Sequence, residues 1–346
     1  MQERHNLAQL RTLLEDPTHR RQRIVLTSHA NPDGDALGSS LALAHLFSEM
    51  GHTVSVIMPT ELPDFLSWMP LFNIVVVYED RPEIARRLLQ DADIIFCLDY
   101  NSPSRVGDMS DALTQAQGFK VMIDHHLEPQ NFTQAHYWRT SSSSTCELVY
   151  EWVRDEGWLD KMPADGLDCL YVGLLTDTGG FRHATSANLF RIVADLLERD
   201  VDNNYLCDLV FNTYSIKRFR LLTHATSQGM EILDDVGIGI ITLTKQDHDH
   251  FDIRRGDAEG IANFALSIKE LLAAVLVSER KDGTIKISMR SKQDFSVQAI
   301  CKAHFGGGGH RNASGGSSTL PLADTLQKLK TTLTEAAQAY RKAKSE

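Results

Sequence analysis

Residues 29–35 read His-Ala-Asn-Pro-Asp-Gly-Asp, between the apolar run Ile24-Val25-Leu26 and a long helical pattern. The same kind of junction recurs along the chain. Ile94-Ile95-Phe96-Cys97-Leu98 runs into Asp99, Val121-Met122-Ile123 runs into Asp124-His125-His126, and an apolar helical stretch ends at Asp177. Short apolar runs alternating with helical patterns read as strands of a parallel sheet. In such a sheet the carboxyl ends of the strands share one edge, and ligands bind there. The chain is therefore expected to be an α/β fold that gathers carboxylates and imidazoles along one edge.

Each segment alone has a plainer explanation. Asn-Pro-Asp-Gly is good turn chemistry, and Asp33 or Asp35 suits a helix cap. Asp99 could cap a loop, Asp177 could end its helix, and adjacent His125 and His126 do not share a helix face. Several independent element ends carrying ligand-type residues outweigh these readings together. Aspartates crowded into one cleft repel unless divalent cations neutralise them. Oxygen and imidazole donors without thiolates favour manganese or magnesium, with zinc, iron or cobalt as alternatives. So many donors suggest two ions, as in phosphoryl-transfer sites.

The rest of the pattern extends this frame. An amphipathic helix is expected over residues 1–16, a strand over 23–28, and a helix over 35–50 whose Leu37, Leu41 and Ala44 share a face. Strands follow at 53–58, 74–78, 94–98 and 120–123, and helices at 83–89, 108–117, 146–153 and 165–175. The turn Ser141 to Ser144 has two readings, phosphate contact or helix N-cap, and the cap is the default. Helical patterns continue to about residue 228. A smaller mixed α/β pattern then starts near Gly229. It has strands at 236–243, 273–278 and 285–290, a hairpin turn at Asp282-Gly283, and helices at 258–267, 297–304 and 323–343. The expected domains are residues 1–195 and 229–346, with a helical connector over 196–228.

The length of 346 residues suits two domains. A net charge of −11 lacks the basic surplus of a protein that coats long nucleic acid. Contact with nucleic acid should be short and local, and no long-duplex binding is expected. No apolar run approaches a membrane span, and the charged N-terminal stretch lacks a signal-peptide core, so a cytoplasmic protein without membrane attachment is expected. The five cysteines are scattered and form no Cys-x-x-Cys pair. They read as buried small hydrophobes rather than zinc ligands or a disulfide framework.

Residues 306–316 read Gly-Gly-Gly-Gly-His-Arg-Asn-Ala-Ser-Gly-Gly. Bare glycine runs are linkers, but this one embeds His310, Arg311, Asn312 and Ser314 between apolar periodic segments. It lacks the Gly-Lys-Ser/Thr ending of a P-loop. Gly307, Gly308 and Gly309 would let the backbone approach a ligand, and successive N–H groups can cradle a phosphate. Arg290, at a strand end beside Ser291, would complete a phosphate clamp; a solvated strand-end charge is the plainer alternative. Asp247-His248-Asp249-His250 has a metal-binding composition, but no strand end converges on it, and it reads as a surface turn.

Together, His29-x-x-x-Asp33-x-Asp35, Asp99, Asp124-His125-His126 and Asp177 resemble the four motifs of the DHH phosphoesterase superfamily. The glycine cluster resembles the Gly-Gly-Gly-His signature of the DHHA1 domain. The likeness continues at Arg105 and at Thr178-Gly179-Gly180-Phe181, and it covers nearly the whole chain. The chain is similar to stand-alone, RecJ-like members of the nanoRNase and pAp-phosphatase type. This resemblance implies a parallel-sheet DHH domain, a helical connector and a DHHA1 domain. It implies two divalent cations, Mn2+ first and Mg2+ or Co2+ otherwise. One would be held by His29, Asp33 and Asp99, the other by Asp35, Asp99, His125 and Asp177, with Asp99 as the bridge. Asp124 would support the signature loop, and His126 would face the scissile phosphate with Arg105 assisting. Arg290, Ser291, Gly307, Gly308, Gly309, His310, Arg311 and Ser314 would hold the substrate. The implied activity is hydrolysis of very short RNA and of 3′-phosphoadenosine 5′-phosphate. The alternative is hydrolysis of cyclic di-AMP or pApA, although membrane-bound enzymes of that kind carry transmembrane and sensory segments absent from this sequence. A non-catalytic nucleotide sensor would show broken ligand positions, and none is broken. The expected partner is a short RNA or small adenine nucleotide, and a homodimer is the family-like expectation.

Overall fold

In the first part of the chain, alternate side chains of each central strand enter different cores. Ile24 and Leu26 pack with Ile94, Phe96 and Leu98 on one side, while Val25 packs with Ile95 and Cys97 on the other. Continuous apolar runs serve this arrangement because helices cover both faces. The computed structural model describes residues 2–15, 21–212, 215–254, 256–280 and 282–345. It divides into two units, Met1–Thr213 and Tyr214–Glu346.

In chain order the first unit holds β1 (Gln2–His5), α1 (Leu7–Glu15), β2 (Arg23–Thr27), α2 (Gly34–Glu49), β3 (Thr53–Met58), β4 (Val76–Val77) and α3 (Pro82–Asp91). It continues with β5 (Ile94–Leu98), α4 (Ser110–Gln115), β6 (Phe119–Asp124), β7 (Ala135–Arg139), α5 (Thr145–Asp155), α6 (Ala164–Asp177), α7 (Ala187–Glu198) and α8 (Asn203–Phe211). One sheet runs in the order β1-β7-β6-β5-β2-β3-β4. All neighbours from β7 to β4 are parallel, and β1 joins the edge antiparallel. Helix α2 is buried on nearly every side, as its Ala- and Leu-rich sequence requires. It lies close against α6 because both carry glycine at the contact. A Cβ on Gly34 would fall 2.4 Å from Thr176 Oγ1, and one on Gly38 would fall 2.5 Å from the Cys169 carbonyl oxygen.

The second unit holds α9 (Ile216–Ser227), β8 (Met230–Leu233), β9 (Ile238–Leu243), α10 (Lys245–His250), α11 (Ile261–Ala265) and β10 (Ala273–Glu279). After these come β11 (Ile285–Ser291), α12 (Val297–His304), β12 (Gly308–His310), β13 (Ala313–Ser318) and α13 (Leu322–Ser345). Its mixed sheet runs β12-β13-β11-β10-β9-β8. Among the described residues its one parallel pair is β9 with β10. Helices α9 and α11 cover one face through Leu221, Ile261 and Ala265, and α12 and α13 cover the other through Val297, Cys301, Leu329 and Leu333.

Several elements differ from the sequence expectations. The expected first helix begins only at Leu7, and β1 precedes it; residues 1 and 16 lie outside the described residues. β1 is a strand because β7 offers it a free edge, and its own sequence, Gln-Glu-Arg-His, carries no strand pattern. β7 and β8 have no counterpart among the expected strands, and the strand expected at 74–78 shrinks to Val76–Val77. The helix expected over 108–117 is α4, preceded by 3-10 turns over Pro103–Met109 that kink at Gly107, where φ is 55°. Within the stretch 196–228, α8 belongs to the first unit and α9 to the second. The Asp-His-Asp-His segment is not a turn but the helix α10. Thr244 and Asp247 close a capping box at its start, His224 Nε2 lies 2.8 Å from Asp247 Oδ1, and His248 Nε2 lies 2.8 Å from Ser278 Oγ. All five cysteines are free thiols, four of them buried and Cys207 half-buried. Among the described residues, no helix is long and apolar enough to cross a membrane.

Candidate metal centre and the glycine hairpin

The order of the first sheet reverses between β2 and β5. From β2 the chain moves outward to β3 and β4, then returns to β5 and continues the other way to β6 and β7. Ligands of open α/β sheets bind at such a reversal. His29, Asp33 and Asp35 follow β2, and Asp99 follows β5, so the reversal itself brings them together.

Two groups of donor atoms result. His29, Asp33 and Asp99 each bring one ligand atom within 4.8 Å of the others, and so do Asp35, His125 and Asp177. Asp99 stands between the groups. Its Oδ2 lies 3.2 Å from His29 Nε2, and its Oδ1 lies 3.4 Å from His125 Nε2. His125 Nε2 also lies 3.3 Å from Asp177 Oδ2 and 3.8 Å from Asp35 Oδ2. The second nitrogen of each imidazole is engaged elsewhere: His29 Nδ1 lies 2.9 Å from the Ala30 carbonyl oxygen and His125 Nδ1 lies 3.3 Å from that of Ser142. Each Nε2 therefore faces the carboxylates.

The turn chemistry of residues 29–35 and their ligand chemistry coexist. Asp33 is the N-cap of α2, its Oδ1 accepting from the backbone N–H groups of Asp35 and Ala36 at 3.1 Å each. Its Oδ2 points back toward His29 Nε2 at 3.9 Å. Asp35 accepts from the first N–H groups of α5: Thr145 N at 2.6 Å and Cys146 N at 2.8 Å. Asp124 accepts from the backbone N–H of His126 at 3.2 Å, and its Oδ1 lies 2.8 Å from His126 Nδ1, so it holds the loop and the ring together. His126 Nε2 lies 3.4 Å from Arg105 Nη2, and Trp138 Nε1 donates to the His126 carbonyl oxygen at 2.7 Å. Among the described residues, Arg105 Nε is buried without a hydrogen-bond partner.

Burial and crowding pull the proton affinities of these groups in opposite directions. Burial disfavours a charged His29, but its hydrogen bond to Asp99 wins and raises it to about 9. Burial likewise opposes a charged His125, yet Asp99 and Asp177 hold it well above its ordinary range. Asp99 sits between them; burial works against its charge, but the hydrogen bonds from His125 and His29 keep it well below the usual carboxylate range. Burial and the neighbouring Asp99 charge push Asp35 up to about 7, and burial with Asp35 pushes Asp177 well above its ordinary value. Buried carboxylates this close together repel one another, and a divalent ion would relieve that repulsion, so the donor set fits a divalent-ion site. The donors are oxygen and imidazole throughout. The nearest sulfur, Cys146 Sγ, is pushed well above its ordinary value by burial and Asp35, so it stays a neutral thiol. That donor set fits hard or borderline ions.

The Ser-rich turn resolves as a cap, with Ser144 Oγ accepting from Glu147 N at 3.1 Å. What sequence reasoning missed there is the next residue. Thr145 Oγ1 donates to Asp99 Oδ1 at 3.0 Å. The signal was position alone: a hydroxyl at the first residue of a helix whose cap is already filled.

In the second unit the glycine cluster is a hairpin rather than an open loop. Gly308 pairs with Gly315, Gly309 with Ser314, and His310 with Ala313. A Cβ on Gly307 would lie 1.8 Å from the Gly315 carbonyl oxygen, and Gly309 adopts φ 137°, so neither position accepts a side chain. Arg290 lies on β11 opposite Ala313 of the hairpin, and its Nη1 donates to the Met289 carbonyl oxygen at 3.0 Å. Ser291 is buried; its hydroxyl donates to the Phe295 carbonyl oxygen at 2.6 Å and accepts from Asn312 Nδ2 at 2.9 Å. Arg311 is exposed, its Nη1 3.4 Å from Asp294 Oδ1. Ser314 is buried, and its hydroxyl has no hydrogen-bond partner among the described residues.

Comparison with known proteins follows this division. The N-terminal domain of the DHH family matches residues 23–174, and the DHHA1 domain matches residues 237–339. The chain is 28% identical over 296 residues to the bifunctional oligoribonuclease and PAP phosphatase NrnA of Thermus thermophilus, covering 84% of this chain and 83% of that protein. It is 26% identical over 325 residues to the cyclic-di-AMP phosphodiesterase GdpP of Bacillus subtilis, covering 90% of this chain but only 47% of GdpP. The crystal structure of an exopolyphosphatase-related protein from Bacteroides fragilis matches with a TM-score of 0.90 and 35% identity, covering 97% of each chain.

Proposed function

We propose that this chain, which belongs to the DHH and DHHA1 phosphoesterase family, hydrolyses short oligoribonucleotides and 3′-phosphoadenosine 5′-phosphate to mononucleotides with two divalent cations. The observation that carries this reading is Asp99, which presents one oxygen to His29 and the other to His125. His29, Asp33 and Asp99 would hold one ion, and Asp35, Asp99, His125 and Asp177 the other. Two such ions lower the pKa of water and neutralise charge on the phosphoryl oxygens. Mn2+ is the first choice, and Mg2+ or Co2+ suit the same donors.

The chain's own residues supply the rest. Asp124 fixes the His126 ring, whose Nε2 accepts from Arg105, and Arg105 would give donors for the charge that develops on the phosphoryl oxygens with His126 beside it. Arg290, His310, Arg311 and the hairpin at Gly308, Gly309 and Ser314 would bind another phosphate of the substrate and give affinity rather than chemistry, while the Gly307 N–H donates to the Cys301 carbonyl oxygen. Ser291 supports that surface through its hydrogen bonds to Phe295 and Asn312. The similarity to NrnA over most of both chains supports the substrate class. A net charge of −11 agrees with short substrates rather than long duplexes. The same reading includes a cytoplasmic enzyme acting as a homodimer.

The similarity to GdpP favours a second reading, hydrolysis of cyclic di-AMP or pApA, although the chain spans about half the length of that protein. A panel decides between them. The chelator-stripped protein, reloaded with Mn2+, is assayed on di- to pentaribonucleotides, 3′-phosphoadenosine 5′-phosphate, pApA, cyclic di-AMP and inorganic polyphosphate. The expected result is highest kcat/KM on the first two and none without ion. Preference for cyclic di-AMP or polyphosphate would replace the substrate assignment, and activity in the stripped protein would refute the two-ion reading.

A further inference from the structure

The segment Ser142 to Cys146 touches both donor groups, although none of its side chains is a ligand candidate. The Ser142 carbonyl oxygen faces His125 Nδ1 at 3.3 Å, Thr145 N donates to Asp35 Oδ2 at 2.6 Å, Thr145 Oγ1 donates to Asp99 Oδ1 at 3.0 Å, and Cys146 N donates to Asp35 Oδ1 at 2.8 Å. The segment is braced from behind. Glu147, itself buried, accepts from the Ser143 N–H and hydroxyl at 2.6 and 2.8 Å, and its other oxygen accepts from Asn188 Nδ2 at 2.8 Å.

Thr145 is fully buried and its hydroxyl has an unusual use. Within a helix a threonine hydroxyl ordinarily donates to the carbonyl three or four residues earlier. At the first helical residue no such helical carbonyl exists, and the capping role is already filled by Ser144. The hydroxyl turns instead to Asp99 Oδ1, the oxygen that also faces His125 Nε2 at 3.4 Å and His126 Nδ1 at 3.5 Å. A carboxylate rotates freely about its last torsion, whose preference is broad and two-fold. The two oxygens are equivalent, so what one fixed donor at 3.0 Å sets is the plane of the carboxylate, with one oxygen aimed at each group.

We propose that Thr145 is a positioning residue that sets the two oxygens of Asp99 between the two donor groups, its backbone N–H anchoring Asp35 and its hydroxyl anchoring Asp99. This deepens the two-ion reading and rests on it. Partners that orient ligand side chains are worth 10–100-fold in metal affinity or activity. Valine keeps the shape and backbone N–H of threonine and removes only the hydroxyl, whereas serine keeps the hydroxyl.

The test measures Mn2+ binding to the chelator-stripped full chain by electron paramagnetic resonance titration, for wild type, Thr145→Val and Thr145→Ser, with melting curves and kcat and KM in parallel. The valine variant should melt like wild type yet bind one of two ions about 10–100-fold more weakly, with kcat reduced and KM little changed. Serine should restore most of both. Wild-type ion affinity in the valine variant, or serine no better than valine, overturns the proposal. Should the valine variant fail to fold, Thr145→Ala against Thr145→Ser makes the same comparison. Wild type that binds two Mn2+ but hydrolyses nothing in the panel refutes the proposed function and leaves the positioning role standing on the titrations. Wild type that binds no Mn2+ refutes both.

Discussion

The two units build their candidate sites from opposite materials. The first uses side chains: carboxylates and imidazoles set at the ends of β2, β5, β6 and α6, buried and held by one another. The second uses backbone, because the residue leading into β12 runs so close to β13 at Gly315 and Gly316 that glycine is the one residue that fits at Gly307. A site made of side chains is sensitive to charge, and a site made of backbone is sensitive to size. Single substitutions in each unit should separate these sensitivities.

The largest effect belongs to charge at Asp99, the proposed shared ligand. Asp99→Asn should lower kcat on the best substrate by roughly 10⁴-fold, the scale of removing one member of a catalytic unit, while the melting curve keeps its shape. Next comes size. Gly307→Ala places a methyl group against a backbone oxygen that cannot yield, and should destabilise the protein by about 3 kcal/mol in urea unfolding without altering Mn2+ binding. Gly173→Ala is its counterpart in the first unit, with the new Cβ 2.2 Å from Cys146 Sγ and 2.9 Å from Asp35 Oδ1. Alanine's helix propensity offsets about 1 kcal/mol of that strain, so the net loss should be smaller, but ion affinity should fall with it. If both alanine variants bind ions equally well, the contrast between the units is wrong. Arg290→Ala should raise KM by about tenfold, the worth of one charge-assisted hydrogen bond, and leave kcat and ion binding unchanged.

The smallest effect concerns the frame behind the first site. Burial alone would raise the Glu151 carboxyl, but hydrogen bonds from Arg139 and Tyr137 outweigh it and hold the group below its ordinary value of 4.5. A lowered folded value contributes stability that is present above the unfolded value and lost as pH falls through the folded one. Glu151→Gln should therefore be less stable than wild type at neutral pH, with the gap closing as pH falls below the ordinary carboxyl value of 4.5 and through the lowered folded one. A gap that stays constant down to acid pH would show that the ion pair with Arg139, 2.9 Å in length, contributes nothing.

What was legible in the sequence follows the same contrast. The strands β2, β5 and β6 stand out because burial on both faces demands apolar runs, and the residues at their ends advertise their chemistry, whereas β3 is buried only over its last three residues. β7 was harder. Ala135 and Tyr137 turn inward while His136 and Trp138 are only half-buried, a two-residue alternation visible in hindsight but too short to stand out. β1 was invisible because its pairing is decided by a neighbour far along the chain. The glycine cluster announced a close approach but not its partner, and the partner turned out to be the chain's own backbone at Gly315. The Asp-His-Asp-His segment reads as a turn because a six-residue polar helix has no apolar periodicity, and what starts it is the capping box of Thr244 and Asp247. Thr145 was hidden because its hydrogen bond to Asp99 spans 46 residues.

Asp99 closes β5 with a φ of 63°. Aspartate, asparagine and glycine accept that left-handed backbone, while most other residues meet a steric cost of roughly 1–2 kcal/mol there. Alanine at this position would thus confound a lost ligand with a bent backbone, and asparagine would not. The same restriction bears on descent. A lineage released from the need to hydrolyse anything would drift at position 99 toward asparagine or glycine before other residues. Either residue would leave the backbone at position 99 unstrained while removing the charge between His29 and His125.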